Sequence, residues 1–180
     1  MAIKKCDYRS EFLREGEKLY SALSSINECE FNDWVATNFS ELGTIQSFEE
    51  VRPSKEIFDE IANGYVHNPS QCHYSAKVAC LLDAEIEYYT GFIVRRDSYD
   101  PIVTHSFNVY QGSIIDFSRF KNDFTVIEER TSSLPHTYYG IKIPTEFVNR
   151  YRNDVFEGEP EKKMNPLLYE WYREPRASLK

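Results

Sequence analysis

The spacing of hydrophobic residues predicts that the first third of the chain is helical. In residues 8–25, hydrophobic side chains recur among charged ones at near-helical intervals, at Phe12, Leu13, Leu19, Tyr20 and Leu23. Shorter segments with the same pattern predict helices over residues 31–39 and 57–65. We expect each of these helices to bury one face against a common core.

The pattern changes in the segment HNPSQCHYSAKVACLLDAE, residues 67–85. Turn-forming residues come first, and the run that follows favours a helix over residues 72–82. Small side chains recur along one face of this helix, at Cys72, Ala76, Ala79 and Cys80. Small residues allow close approach, so we expect the helix to pack directly on a sheet.

Aromatic and β-branched residues predict strands after residue 85. The strand-like runs are IEYYTGFIVRR (86–96), THSFNVYQGSIIDFS (104–118), FTVIEER (124–130) and YYGIKIP (138–144). Helices followed by antiparallel strands are typical of an α+β fold. We expect one α+β domain over residues 1–158, with its core at 66–145, and a C-terminal extension over 159–180.

The run from 104 to 118 has the pattern of a β-hairpin with Gln111 and Gly112 as its two-residue loop. In that register the numbers of paired residues sum to 223, so Asp116 lies opposite Phe107 and His105 is its diagonal neighbour. Residues two apart share a face of a strand, which places the two polar side chains on one face, with Cβ atoms roughly 7 Å apart. A slip by one residue would separate them.

Composition excludes several classes of protein. With 29 acidic and 21 basic residues, a net charge of −8 argues against nucleic acid and anionic membranes as partners. No apolar run approaches a membrane span, and the four cysteines lack paired spacing, so we expect free thiols in a cytoplasmic protein. His67, Cys72 and His73 lie close in sequence, but no second ligand pair follows. We expect neither a metal nor another cofactor.

Cys72 is the candidate nucleophile, because the start of a helix stabilises a thiolate. Cys6 and Cys29 lie in polar or acidic stretches, and Cys80 lies inside the small-residue stripe, where burial is expected. Gln71 precedes the helix, and its amide is a candidate oxyanion donor, although a turn or capping role is the commoner one for that position.

The order of these motifs resembles the transglutaminase-like core of the papain-like cysteine enzymes. The similarity covers residues 66–120 and is carried by SQCHYSAKVA, EYYTGFIVRRD and THSFNVYQGSIIDFS. It implies a transglutaminase-like fold with Cys72 as nucleophile, His105 as base and Asp116 as the orienting acid. Such enzymes often have a tryptophan shortly after the cysteine or histidine. Here Phe107 follows His105, which leaves the subfamily open.

Two functions follow as hypotheses. The first is a cysteine hydrolase or acyltransferase that acts on an amide or ester, with a protein or peptide as substrate, through a thioester acyl-enzyme. Protease, amidase, deamidase and transglutaminase activities all fit this scheme. The second is a non-catalytic interaction module, an inhibitor or adaptor, that retains the fold. The sequence leaves the oligomeric state open.

Overall fold

The computed structural model describes residues 28–64, 71–95, 102–128 and 134–177. The helix expected over residues 8–25, together with Cys6 and His67, lies outside the described residues.

The described residues form seven α-helices, five β-strands and two short 3₁₀ helices. The α-helices are α1 (Glu28–Asn38), α2 (Lys55–Gly64), α3 (Cys72–Leu82), α4 (Thr145–Asn149), α5 (Arg152–Phe156), α6 (Pro160–Met164) and α7 (Leu168–Ala177). The strands are β1 (Ser40–Ile45), β2 (Glu87–Arg95), β3 (Ile102–Tyr110), β4 (Ser113–Ile115) and β5 (His136–Ile143), and the 3₁₀ helices are Phe48–Val51 and Phe117–Arg119.

All five strands belong to one antiparallel sheet with the order β1-β5-β2-β3-β4. The central strand β2 pairs with β5 on one side and β3 on the other, and its Gly91 lies opposite both His105 and Gly140. A Cβ atom at Gly91 would come within 2.1 Å of the Tyr139 carbonyl oxygen, so this close approach of strands requires glycine. The mixture of helices with an antiparallel sheet confirms the predicted α+β class.

Helix α3 packs on the sheet through its small residues, as predicted. Ala76, Ala79 and Cys80 are buried, each with no more than 2% of its surface exposed. The side chain of Asn108 on β3 donates to the Ala76 carbonyl over 2.9 Å and also to the Glu87 carbonyl. This contact fixes the helix against β3 and brings its first residue, Cys72, to that strand.

The prediction of a strand over FTVIEER is wrong. In the described part of that run, residues 124–128, only Val126 pairs, in an isolated bridge to Phe120. Phe124 has a left-handed φ of 66°, which is incompatible with a continuous strand, and its ring packs on Phe58. Conversely, the edge strand β1 was not predicted, because its sequence SELGTI has little hydrophobic alternation.

The segment after residue 158, expected as an extension, contributes to the core within its described part. Leu168, Tyr169 and Tyr172 of α7 are buried beside Phe31 of α1. The buried Lys77 side chain of α3 also donates to the carbonyl of Asn165 at the end of α6. Helices α6 and α7 therefore help to hold α3 in place.

Within the described ranges, no helix is both long and apolar enough to cross a membrane.

Candidate active site

The hairpin between β3 and β4 has the register that the sequence predicts. Gln111 and Gly112 form the loop with φ values of 50° and 80°, the left-handed conformations of a type I′ turn. Tyr110 pairs with Ser113, and Asn108 pairs with Ile115. Asp116 follows β4 directly and begins the 3₁₀ helix Phe117–Arg119, so its carboxylate projects towards His105.

His105 and Asp116 form a buried hydrogen-bonded pair. The distance from His105 Nε2 to Asp116 Oδ2 is 2.6 Å, and neither side chain is more than 4% exposed. The other carboxylate oxygen, Oδ1, accepts from the Ser118 backbone N–H at 3.1 Å and from the Ser118 hydroxyl at 2.7 Å. These bonds fix the carboxylate and with it the orientation of the imidazole ring.

Cys72 lies close enough to His105 for the two side chains to interact. The charge and ring of His105 and the backbone of Ser106 all act to lower the pKa of the Cys72 thiol. Because His105 Nε2 is occupied by Asp116, we infer that Nδ1 is the nitrogen that faces the sulfur. Cys72 is partly exposed, whereas Cys80 on the same helix is buried. The structure thus brings the three predicted residues together in the order Cys72, His105, Asp116.

The charged forms of Cys72, His105 and Asp116 stabilise one another. Burial opposes ionisation of Cys72, but the His105 charge and hydrogen bond lower the thiol pKa below its ordinary value. Burial also works to lower the pKa of His105, yet the charges of Asp116 and Cys72 raise it overall. For Asp116, burial is outweighed by His105 and Arg119, which hold the carboxyl pKa well below its usual range. The lowered pKa of the thiol and the raised pKa of the imidazole both act in favour of a thiolate–imidazolium pair.

His73 and His105 differ in protonation. His73 Nδ1 lies 2.7 Å from the Ser106 hydroxyl, and burial together with the His105 charge lowers its pKa to about 3. His73 is consequently neutral near pH 7 although it adjoins Cys72 in sequence. Of the two imidazoles, His105 is therefore the one whose environment favours the charged form.

Two residues at this site were not identified from the sequence. Arg119 Nε donates to Asp116 Oδ2 over 2.9 Å, and the Tyr138 hydroxyl donates to the same oxygen over 2.8 Å. Arg119 and Tyr138 also interact with each other electrostatically. The i, i+3 spacing of Asp116 and Arg119 is a local signal for the first contact, but Tyr138 reaches the site only through the pairing of β5 with β2.

Gln71 lies at the N-cap position of α3 and is partly exposed. Its side chain makes no capping hydrogen bond to the first turn within the described structure. The N-terminal amides of α3, including that of Cys72, are thus not capped by this side chain. As for metals, no group of three or more His, Cys, Asp or Glu side chains suited to a metal ion occurs in the described ranges.

The chain matches no protein-family model, no curated protein and no solved structure.

Proposed function

We propose that this protein is a cysteine hydrolase or acyltransferase that acts on amide or ester carbonyls. The observation that carries the proposal is the grouping of a partly exposed Cys72, whose thiol interacts with His105, with the buried hydrogen bond from His105 to Asp116. A nucleophile, a base and a group that orients the base, each in contact with the next, form the arrangement that covalent acyl transfer requires.

In the first half of the reaction, the Cys72 thiolate attacks the substrate carbonyl carbon and forms a C–S bond. The negative charge moves to the carbonyl oxygen, where the Cys72 backbone N–H at the start of α3 is placed to stabilise it. Gln71, directly before it, is the second candidate donor. When the tetrahedral intermediate collapses, the imidazolium of His105 gives its proton to the leaving amine or alkoxide, and a thioester remains on Cys72.

In the second half, water or an amine attacks the thioester. His105, now neutral, takes the proton of the attacking group, and the C–S bond breaks to regenerate the thiolate. Asp116 stays ionised throughout and stabilises the imidazolium in both halves. Water as the acceptor gives a protease, amidase or deamidase, and an amine gives a transglutaminase-type product.

The order of elements supports a transglutaminase-like arrangement as the finer description of the fold. A helix that begins at the nucleophile packs on an antiparallel sheet, and the base and the acid follow on one hairpin. The partly exposed thiol at a helix start suits a carbonyl presented on a peptide or protein chain. Because free thiols are typical of reducing compartments, we propose that the protein acts in the cytoplasm.

The test is capture of the acyl-enzyme with p-nitrophenyl acetate, an activated ester that needs no specific binding. Intact mass and peptide mapping should show one acetyl group on Cys72, removed by hydroxylamine as a thioester is, and Cys72→Ala should lose it. Cys80→Ala is the matched control and should keep it. Acetylation that is hydroxylamine-resistant, or equal in Cys72→Ala, would contradict the proposal and favour the interaction module.

Adding a simple primary amine to the same reaction then separates the two subclasses. An acetylated amine as the main product indicates acyl transfer, and acetate indicates hydrolysis.

A further inference from the structure

The Asp116 carboxylate accepts more hydrogen bonds than the orientation of one imidazole requires. Its Oδ2 atom accepts from His105, Arg119 and Tyr138, while its Oδ1 accepts twice from Ser118. Arg119 and Tyr138 come from different elements, the 3₁₀ helix after β4 and strand β5. Both side chains are buried, and burying polar or charged groups is costly unless they are paired.

The contacts of Arg119 and Tyr138 converge on one carboxylate oxygen. Both side chains donate to Asp116 Oδ2, and they also interact electrostatically with each other. The guanidinium also lies over the Phe48 ring at 5.3 Å from its centroid, which shields it from solvent. The rigid planar guanidinium therefore has one orientation, and it sets the position of Oδ2.

The guanidinium also acts on the base directly. Its Nη2 atom lies 3.5 Å from His105 Nε2, close enough for the positive charge of Arg119 to oppose that of the imidazolium. With Cys72 as thiolate and His105 as imidazolium, the side-chain charges alternate in sign along the series Cys72, His105, Asp116 and Arg119. Their total is zero. Without Arg119, the same buried chain would carry one uncompensated negative charge.

We propose that Arg119 and Tyr138 are positioning residues for the Cys72–His105–Asp116 site. They hold the Asp116 carboxylate as the acceptor of the His105 Nε2 proton, and they limit how strongly Asp116 stabilises the charged form of His105. This proposal rests on the proposed function, since it assigns the two residues to the same reaction. Neither residue contacts the sulfur in the described structure, so they act through Asp116 and His105.

Other titratable groups also face this pair and must be followed in the test. Those on the elements packed around His105 and Asp116 are Cys72 and His73 of α3 and His136 of β5, and Arg95 of β2 acts on His136. His136 has its pKa lowered to about 3 by burial and by the charges of Arg119 and His105, so it stays neutral across the range in which His105 titrates.

The experiment measures the His105 titration and the Cys72 alkylation rate against pH in the same full-length variants. Imidazole ¹⁵N signals report His105 directly, and its signal among the four histidines is assigned by its loss in His105→Ala. The variants are Arg119→Gln, Arg119→Lys and Tyr138→Phe. Tyr139→Phe is the matched control, because Tyr139 is the next residue on β5 and donates instead to Glu41 at the surface.

In Arg119→Gln, we expect the His105 titration and the basic limb of the alkylation profile to move to higher pH by roughly one unit. Arg119→Lys should restore most of the wild-type profile because it restores the charge. Tyr138→Phe should shift the profile in the same direction by less, because Asp116 loses one donor and acts more strongly on His105. Tyr139→Phe should leave the profile in place.

A profile in folded Arg119→Gln that superimposes on the wild type, with only the melting temperature lowered, would overturn the proposal and leave the two residues a structural role. If Arg119→Gln does not fold, Tyr138→Phe carries the test, since it keeps most of the packing, and a Tyr138→Phe profile that superimposes on the wild type overturns the proposal. Failure of the proposed function is distinct: Cys72 would then lack enhanced reactivity in the wild type, while the His105 titration would still report whether Arg119 acts on it.

Discussion

His105 Nε2 lies 2.6 Å from Asp116 Oδ2, and this contact decides which imidazole nitrogen faces Cys72. The hairpin register creates the pairing, because a two-residue loop at Gln111 and Gly112 places both side chains on one face. A single hydrogen bond thus joins a local feature of the chain, the type I′ turn, to the chemistry proposed for a thiol 33 residues upstream of His105.

Replacing the thiol separates chemistry from folding. Cys72→Ala should abolish acyl-enzyme formation, a loss of at least about 10³-fold in turnover of an activated ester. Its free energy of unfolding should change by less than about 1 kcal/mol, because the side chain is partly exposed. Ester turnover and urea unfolding measure the two effects.

Cys80→Ala provides the opposite control for that pair of measurements. Cys80 is buried, and burial raises its thiol pKa to about 12, so it is unreactive but well packed. The substitution should cost about 1 to 2 kcal/mol of stability and leave turnover unchanged. A stable but fully active Cys72→Ala would refute the assignment of the nucleophile.

Asp116→Asn should be costly for both folding and turnover. The asparagine would leave the buried Arg119 guanidinium without its counter-charge, which we expect to cost about 3 to 5 kcal/mol in urea unfolding. Turnover of the folded fraction should also fall, since the imidazole loses its preferred tautomer, while alkylation of Cys72 should be affected less.

The double variant Asp116→Asn with Arg119→Met tests the cause of that destabilisation. It removes both charges, so its loss of stability should be smaller than that of Asp116→Asn alone, while turnover should stay low. Additive losses of stability would show that the two side chains do not interact.

His73 and His136, which are neutral in the folded protein, should make its free energy of unfolding sensitive to acid. Burial lowers the pKa of His73 and of His136 from an ordinary 6.5 to about 3, so the unfolded chain binds more protons than the folded one between these values. Stability should therefore decrease as the pH falls below about 6.5, by an amount on the order of a few kcal/mol by pH 4. His105 adds no slope there, because its raised pKa leaves it protonated in both states.

Urea unfolding at several pH values measures this slope. In His73→Gln the slope between pH 6.5 and about 4 should be smaller, since one of the two titrating groups is gone and the glutamine can still bond to Ser106. An identical slope in wild type and variant would contradict the assignment of His73 as a neutral, buried group.

The turn that sets the hairpin register should respond to the conformational preferences of its residues. Gly112→Ala should destabilise the protein by about 1 kcal/mol, because a φ of 80° is unfavourable for alanine. Gln111→Asn should stabilise it by a few tenths of a kcal/mol, because asparagine tolerates the left-handed conformation better. Melting temperatures check both, and a stabilising Gly112→Ala would exclude the type I′ turn.

The local parts of this structure could be predicted from the sequence. The Gln111-Gly112 turn fixes its own register, and the small residues of α3 require a close partner, so the positions of His105, Asp116 and the small-residue stripe followed from short-range patterns. The interpretation of FTVIEER as a strand was wrong because Phe124 has a left-handed φ and its ring packs on Phe58.

The non-local parts could not be predicted in the same way. Tyr138 reaches Asp116 because β5 pairs with β2, a connection between residues far apart in the chain. The partnership of Tyr138 with Arg119 depends on that pairing as well. The burial of α7 against α1 is likewise a tertiary contact. The charged residues before α7 gave no indication of it in the sequence.

The most direct test of the central claim is the rate of iodoacetamide labelling at Cys72 as a function of pH, mapped by mass spectrometry. If His105 stabilises the thiolate, wild-type Cys72 should react rapidly well below the ordinary thiol pKa of about 8.5, and His105→Ala should move its profile to higher pH. Cys80 should stay unlabelled in the folded protein. A wild-type Cys72 profile centred near pH 8.5 and unchanged in His105→Ala would contradict the account.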